Sequence, residues 1–220
     1  MSSKPDFTLY GYFRSSAAFR ARIALNLKGI VPVTKHVHLL KDGGQQHGAG
    51  YRSVNPQELI PTLVHDGHTI GQSLAIIEYL DEIHPEPPLL PKDPAGRARV
   101  RQLAYAVACD IHPVNNLRVL LHLRDAFGAD EPARAQWQRH WIGLGFAALE
   151  ILLAQSPETG KYCHGDTPTL ADICLIPQIA NARRVSTDLA PYPTLTRIEA
   201  AALAHPAFDA ARPEKQPDAE

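Results

Sequence analysis

The chain has 220 residues, with 22 Lys and Arg against 23 Asp and Glu, and a formal net charge of -1 at pH 7. Because a phosphate backbone requires a basic face, this balance disfavours a nucleic-acid partner. No apolar stretch approaches the roughly 20 residues of a membrane span, so we expect no membrane partner, and residues 1–6 show no secretory signal. Three cysteines without paired spacing predict reduced thiols and a cytoplasmic location.

The first 90 residues alternate between strand-like and helix-like patterns. Short apolar or β-branched runs predict strands at residues 7–12, 34–39, 60–64 and 69–70. Helical periodicity begins near Ser16, ends at Gly29, and returns over residues 73–83. Residues 41–50 contain four glycines and predict a loop or a frayed helix. This order of elements predicts a small α/β domain.

A cluster of prolines separates this region from the rest of the chain. Five prolines between residues 85 and 94 exclude a regular element there. We therefore expect a linker at residues 87–94 between a first domain, residues 1–86, and a second domain, residues 95–220. Beyond the linker only helical periodicity is found, over residues 97–127, 134–153, 169–185 and 195–203.

Three local signals refine the helical part. Pro113 predicts a break in its first helix, because proline removes a backbone donor. Residues 169–172, Thr-Leu-Ala-Asp, predict a capping box, with Asp in place of the usual Glu or Gln. The segment from Arg212 onward is polar and contains proline, so we expect it to be loosely held.

Two motifs of the first domain stand where a helix begins. Arg14-Ser15-Ser16 follows the first strand, and Gln72-Ser73 precedes the second strong helix. Helix N-termini present free N–H groups and the positive end of the dipole, so each motif could hold an anion. The alternative is that a serine in each motif only caps its helix.

Ile60-Pro61 opens a predicted strand. Proline at the start of a strand is a device of edge strands. The alternative is a cis proline that leaves the preceding backbone free to pair with an extended ligand. The sequence alone does not choose between them.

Polar residues interrupt the first helix of the second domain. Residues 110–118 carry an Asp, a His, two Asn and an Arg, and predict either the lining of a cleft or a structural network. Arg183-Arg184 at the end of a later helix could simply complement the helix dipole. The 11 histidines include two close pairs, but neither pair has a third ligand nearby, so we expect no metal site.

In this order, the motifs resemble a cytosolic glutathione transferase of the zeta class. The resemblance is carried by residues 12–25, 72–80, 165–172 and 188–193 and covers nearly the whole chain. It implies a thioredoxin-like α/β N-terminal domain, an all-α helical C-terminal domain, glutathione as cofactor and a homodimer. Ala17 departs from the class pattern, which usually has a cysteine there, so that cysteine is not essential to any activity of this chain.

The resemblance also implies roles for individual residues. Ser15 would hydrogen-bond the glutathione sulfur, with Arg14 and Ser16 beside it at the catalytic centre. The implied cofactor-binding residues are Gln46 near the glycyl end, Ile60 and Pro61 at the cysteinyl part, Gln72 and Ser73 at the γ-glutamyl end, and His112 and Asn116 in the helical domain. Arg14, Arg118 and Arg184 match arginines that bind the carboxylates of the substrate.

The implied activity is glutathione-dependent cis–trans isomerisation of maleylacetoacetate to fumarylacetoacetate, a small dicarboxylate, in aromatic-compound catabolism. Three alternatives stay open from the sequence. They are a maleylpyruvate isomerase, a general glutathione S-transferase that conjugates electrophiles, and a non-catalytic module that uses the same fold only for binding.

Overall fold

The computed structural model describes residues 7–220, so the expectation about a secretory signal in residues 1–6 lies outside the described residues. Two compact units result, one from the described residues up to Pro88 together with His205–Glu220, and one from Leu89–Ala204. The sequence placed residues 205–220 in the helical domain. They belong to the first unit because their carbonyl and carboxylate groups bond to its first helix and the loop before it.

The first unit is built on a four-stranded sheet with strand order β2-β1-β3-β4. The strands are β1 (Phe7–Gly11), β2 (Val33–His36), β3 (Thr62–His65) and β4 (His68–Gly71). β1 runs parallel to β2 and antiparallel to β3, which runs antiparallel to β4. All four predicted strands are present, so the α/β class of this region is confirmed.

The helices predicted from periodicity are present in their predicted order, and the structure adds the short helices α2 and α10. Helices α1 to α3 and α10 belong to the first unit, and α4 to α9 belong to the second. Their bounds are α1 (Ser16–Leu27), α2 (Ala49–Arg52), α3 (Ser73–Ile83), α4 (Pro94–Tyr105), α5 (His112–Val114), α6 (Leu117–Phe127), α7 (Glu131–Ala154), α8 (Leu170–Arg184), α9 (Pro193–Leu203) and α10 (Pro206–Ala210). A π-helical segment, Ala106–Ile111, joins α4 to α5. The helix break predicted at Pro113 falls just after it, at Asn115.

Burial explains why these helices form where they do. α1 and α3 place their apolar faces in the core of the first unit, with Phe19, Ile23, Ile76, Ile77 and Leu80 almost fully buried. Removing such side chains from water stabilises the fold by about 1.5–3 kcal/mol each. In the second unit α8 is buried along nearly its whole length, which makes it the central helix of that unit.

The predicted capping box at the start of α8 anchors a buried polar network. The Asp172 carboxylate accepts hydrogen bonds from the N–H and the hydroxyl of Thr169, both at 2.8 Å, and from the Cys163 N–H at 2.8 Å. Burial raises the pKa of Asp172, and these donors oppose the shift. The network ties the loop before α8 to the helix itself.

The three cysteines are free thiols, as predicted. Cys163 and Cys174 are buried and Cys109 is exposed. Burial raises the pKa of the Cys163 thiol well above its usual value, so this thiol is not a nucleophile at neutral pH. Among residues 7–220, no helix combines the length and the apolar character that a membrane crossing requires.

Candidate functional site

The strand register brings three chain segments to one end of the sheet. Tyr10 of β1 lies opposite Thr62 of β3, and Thr62 lies opposite Gly71 of β4. Because both pairings are antiparallel, the end of β1, the start of β3 and the end of β4 lie side by side. We call this end of the sheet the site edge.

The predicted residues of the first unit follow from the site edge. The chain leaves β1 towards Ser15, enters β3 through Ile60–Pro61 and leaves β4 into Gln72–Ser73. β2 is parallel to β1, so the segment after it, which carries Gln46, begins at the same end. The structure therefore brings these four predicted sites to one edge, although they are far apart in sequence.

Ser15 ends the loop between β1 and α1 and caps the helix. Its Oγ accepts a hydrogen bond from the Ala18 N–H at 3.1 Å, and its own N–H donates to the Tyr12 carbonyl at 3.1 Å. A hydroxyl that accepts one bond still has its hydrogen to donate. Ser15 can therefore cap α1 and donate to an anion at the same time. Arg14 before it is exposed, and Ser16 is the first residue of the helix.

Tyr12 and Arg14 form a polar pair beside Ser15. Burial raises the pKa of Tyr12, and the nearby Arg14 guanidinium acts in the opposite direction. The phenol therefore stays protonated at neutral pH. Its oxygen lies 3.4 Å from His38 Nε2.

Ile60–Pro61 directly precedes β3. The peptide bond between them is cis, which was one of the two alternatives that the sequence left open. The other alternative, an edge strand, is wrong because β3 lies between β1 and β4. The carbonyl of Leu59 accepts from the Tyr51 hydroxyl at 2.6 Å and from Asn55 Nδ2 at 2.8 Å. The ladder with β4 begins at Thr62, so the backbone of Ile60 lies beyond the paired residues. The Ile60 side chain packs in a buried cluster with Tyr12, Phe13, Val37 and Tyr51.

Gln72 has an unusual backbone conformation at the start of α3. Its φ of 65° and ψ of 117° lie in a region that residues other than glycine rarely adopt, and such strain concentrates at functional sites. The side chain makes no capping bond and instead donates from Nε2 to Gln57 Oε1 at 3.0 Å. The hypothesis that Ser73 caps α3 is wrong, because Gln72 holds the cap position. Ser73 is buried, and its Oγ accepts from Arg20 at 3.4 Å.

Gln46 lies in the glycine-rich segment, which folds into two short 3-10 turns, Lys41–Gly43 and Gln45–His47. Its side chain is buried, and its Oε1 has no hydrogen-bond partner within residues 7–220. A Cβ on Gly44, whose φ is 99°, would come within 2.7 Å of Gln46 Nε2. Gly44 therefore lets the amide fold over the backbone.

In the second unit, His112 and Asn116 lie on either side of a helix break. His112 follows the π-helical segment, an irregularity that is frequent at functional sites. Gly145 of α7 makes room for this segment, because a Cβ there would meet Ile111 at 2.3 Å. Asn116 caps α6, its Oδ1 accepting from the Arg118 N–H at 3.2 Å. The Arg118 side chain is exposed.

The two arginines at the end of α8 have different surroundings. Arg183 donates through Nε to buried Glu199 of α9 at 3.1 Å, so it joins two helices. Arg184 is exposed, and its guanidinium donates to Asn181 Oδ1 at 2.6 Å. Both guanidinium groups are exposed to solvent, so the two arginines differ in their described partners and not in their exposure. Residues 7–220 contain no group of three or more side chains suited to hold a metal ion.

Comparison with known proteins identifies the family. Residues 9–88 match the glutathione S-transferase N-terminal domain, and residues 135–213 match the glutathione S-transferase C-terminal domain. The chain is 50% identical over 211 residues to a probable maleylacetoacetate isomerase of Vibrio cholerae, covering 96% of this chain and 97% of that relative. The chain belongs to the glutathione S-transferase family.

Solved structures place this glutathione S-transferase among close structural relatives. A holo maleylpyruvate isomerase, described as a bacterial glutathione S-transferase of the zeta class, superposes with a TM-score of 0.94 at 48% identity, covering 97% of this chain and 100% of that chain. A maleylacetoacetate isomerase from Methylobacterium extorquens AM1, with bound malonate and glutathione, has a TM-score of 0.91 at 42% identity and covers 97% and 99%. The resemblance to the zeta class is thereby confirmed.

Some features of this transferase's site were not predictable from the sequence. Asp218 and Arg22 both bond to the backbone of the loop that leads to Ser15. The segment from Arg212 onward, which the sequence predicted to be loosely held, instead forms a 3-10 turn and several bonds to the rest of the first unit. No local pattern signals such contacts, because the partners are almost the whole chain apart.

Proposed function

We propose that this protein is a glutathione-dependent cis–trans isomerase that converts maleylacetoacetate to fumarylacetoacetate. The observation that carries the proposal is Ser15, which caps α1 at the site edge with a hydroxyl hydrogen that its capping bond leaves available. Bound glutathione supplies a thiolate that adds to the conjugated double bond, which can then rotate as a single bond before elimination.

The residues of the first unit fit glutathione. The backbone of Ile60 lies outside the strand ladder and therefore suits the extended cysteinyl part of glutathione. Backbone of this kind can bind a peptide through main-chain hydrogen bonds. The first turn of α3 receives no side-chain cap from Gln72, so its N–H groups suit the γ-glutamyl carboxylate. Within residues 7–220 the Oε1 of buried Gln46 is an acceptor without a partner, which suits the amide N–H of the glycyl residue.

Ser15 has the right chemistry to favour an anionic sulfur. A free thiol has a pKa near 8.5, and lowering it by about two units requires roughly 2.7 kcal/mol of preference for the thiolate. A hydrogen bond to a charged acceptor contributes about 1.5–3 kcal/mol. The N-terminus of α1 adds about 0.3–1 kcal/mol, so the two together are of the required size.

We propose that Arg14, Arg118 and Arg184 bind the carboxylates of the substrate. All three side chains are exposed, and a guanidinium stays charged at neutral pH and binds a carboxylate with two parallel donors. His112 and Asn116 are proposed to border the cofactor in the helical unit. Malonate, a small dicarboxylate, is bound with glutathione in the relative from Methylobacterium extorquens, which supports this class of substrate.

The test is an incubation of the purified protein with glutathione and maleylacetoacetate, following the isomers and the free thiol together. An isomerase forms the trans product while the free thiol stays constant, and it forms none without glutathione. Loss of thiol in step with substrate would instead establish a conjugating transferase. If no trans product forms and no thiol is lost, the protein is a binding module and not an enzyme for this substrate.

Maleylpyruvate is the second candidate substrate, favoured by the TM-score of 0.94 against the maleylpyruvate isomerase. A parallel assay on both diacids decides between them by the ratio of their kcat/KM values.

We further propose that the enzyme acts as a homodimer in the cytoplasm. Light scattering of the purified protein tests the dimer, and a mass of a single chain would contradict it.

A further inference from the structure

The segment at residues 213–220 contacts the loop that carries Ser15. Asp218 Oδ2 accepts a hydrogen bond from the Phe13 N–H at 3.0 Å, and the same oxygen lies 3.2 Å from His36 Nδ1. The Asp218 side chain is only 15% exposed, so this contact is shielded from water. The bond joins residues that are 205 positions apart.

Arg22 of α1 holds the same loop from its carbonyl side. Its guanidinium donates to the carbonyls of Phe13 at 3.1 Å and Tyr12 at 3.4 Å, and to Ala211 at 3.0 Å. Burial lowers the pKa of Arg22 to about 10, and the charge of Asp218 acts against the shift, so the guanidinium stays protonated at neutral pH. The negative Asp218 thus accepts a hydrogen bond from this stretch of backbone, and the positive Arg22 donates hydrogen bonds to it.

This stretch determines where Ser15 lies. The Tyr12 carbonyl that Arg22 binds also accepts from the Ser15 N–H at 3.1 Å. A displacement of the Phe13 peptide would therefore be transmitted through this turn to the Ser15 hydroxyl. Positions at a reacting centre are sensitive to such shifts, because a displacement of about 1 Å can lower a rate by about a hundredfold.

We propose that Asp218 is a positioning residue, which fixes the loop between β1 and α1 through the Phe13 N–H so that Ser15 is aimed at the cofactor sulfur. This inference rests on the proposed function for its catalytic consequence, but the contact itself does not. The negative charge of Asp218 is balanced locally by Arg22 and faces His36, so it can lie near a thiolate site without an unpaired charge.

The test compares Asp218→Ala with two controls. Asp218→Asn keeps an oxygen that accepts from the Phe13 N–H, and Glu220→Ala removes a carboxylate of the same segment that bonds to Lys41 and lies 3.6 Å from His38. The first measurement is amide hydrogen exchange of Phe13 without any ligand. We expect about tenfold faster exchange in Asp218→Ala, and near wild-type exchange in both controls.

The second measurement is turnover with glutathione and the diacid. We expect Asp218→Ala to lower kcat about tenfold and to shift the acidic limb of the pH–rate profile to higher pH. Both controls should keep a kcat within about twofold of the wild-type value. A purely structural role would lower the Tm and leave the kcat of the folded enzyme and its pH profile unchanged, and that result would overturn the proposal.

The exchange measurement separates this inference from the proposed function. If the wild-type protein shows no isomerase activity, the proposed function fails, whereas the contact still stands or falls on the Phe13 amide. Should Asp218→Ala fail to fold, Asp218→Ser, whose side chain is too short to reach the amide, carries the same comparison. A wild-type Phe13 amide that exchanges as fast as an unstructured peptide would refute the contact without any variant.

Discussion

The two roles assigned to Ser15 can be separated by substitution. As the cap of α1, its Oγ accepts from the Ala18 N–H at 3.1 Å. Replacing a capping serine by alanine costs about 1 kcal/mol of stability, whereas glycine at the same position costs only a few tenths. Ser15→Ala and Ser15→Gly therefore remove the same hydroxyl at different costs to the fold.

The catalytic loss should be the same in both variants. Each loses a hydrogen bond to a charged sulfur, worth about 1.5–3 kcal/mol, which corresponds to a fall in kcat of roughly 10- to 150-fold. Ser15→Thr retains both the capping oxygen and the donor, and we expect it to keep most of the activity and the stability. The Michaelis constant for glutathione should change less than kcat in all three, because the peptide ends of the cofactor are held elsewhere.

The assay pairs steady-state turnover at saturating glutathione with urea unfolding of the same preparations. The reasoning is refuted if Ser15→Gly turns over within about twofold of wild type. It is also refuted if kcat follows the free energy of unfolding across the series, because Ser15 would then act only as a helix cap.

Three further predictions concern other residues. Gln72→Gly should be more stable to urea than Gln72→Ala by about 1–2 kcal/mol, because glycine adopts a φ of 65° without strain. Both variants should weaken glutathione binding equally. Equal stabilities of the two variants would contradict the claim that the backbone of Gln72 is strained. Asp172→Ala should cost about 3–5 kcal/mol by leaving buried N–H groups unbonded, and Asp172→Asn less, as measured by denaturant unfolding; equal losses would argue against the network. Arg184→Ala should raise the KM for the diacid about tenfold with stability unchanged. Arg183→Ala should lower stability with KM unchanged. The reverse pattern would reject the proposed role of Arg184 in binding the substrate.

The regular elements follow from local sequence signals. The helix predicted over residues 73–83 is α3, and the capping box at Thr169 opens α8, because apolar spacing and cap chemistry act within a few residues. Pro61 likewise marks the point where β3 begins, but its interpretation as an edge-strand proline is wrong, because β3 lies between β1 and β4. These predictions need no knowledge of distant contacts.

The remaining features depend on the tertiary structure. The π-helical segment before His112 accompanies a close approach to Gly145, which lies in another helix. The φ of Gln72 reflects the junction of β4 with α3, and the position of Asp218 depends on a contact with the opposite end of the chain. A polar segment with prolines resembles a mobile tail in sequence, and only its partners on the first unit hold it in place.

The pKa of the bound thiol tests the central claim most directly. Ultraviolet absorbance reports the thiolate, so a pH titration of glutathione bound to the wild-type protein, with Ser15→Gly as the comparison, measures its ionisation. The account predicts a pKa about two units below the free value near 8.5 in the wild-type complex, and a return towards 8.5 in the variant. A wild-type value near 8.5, or an equally low value in Ser15→Gly, would contradict it.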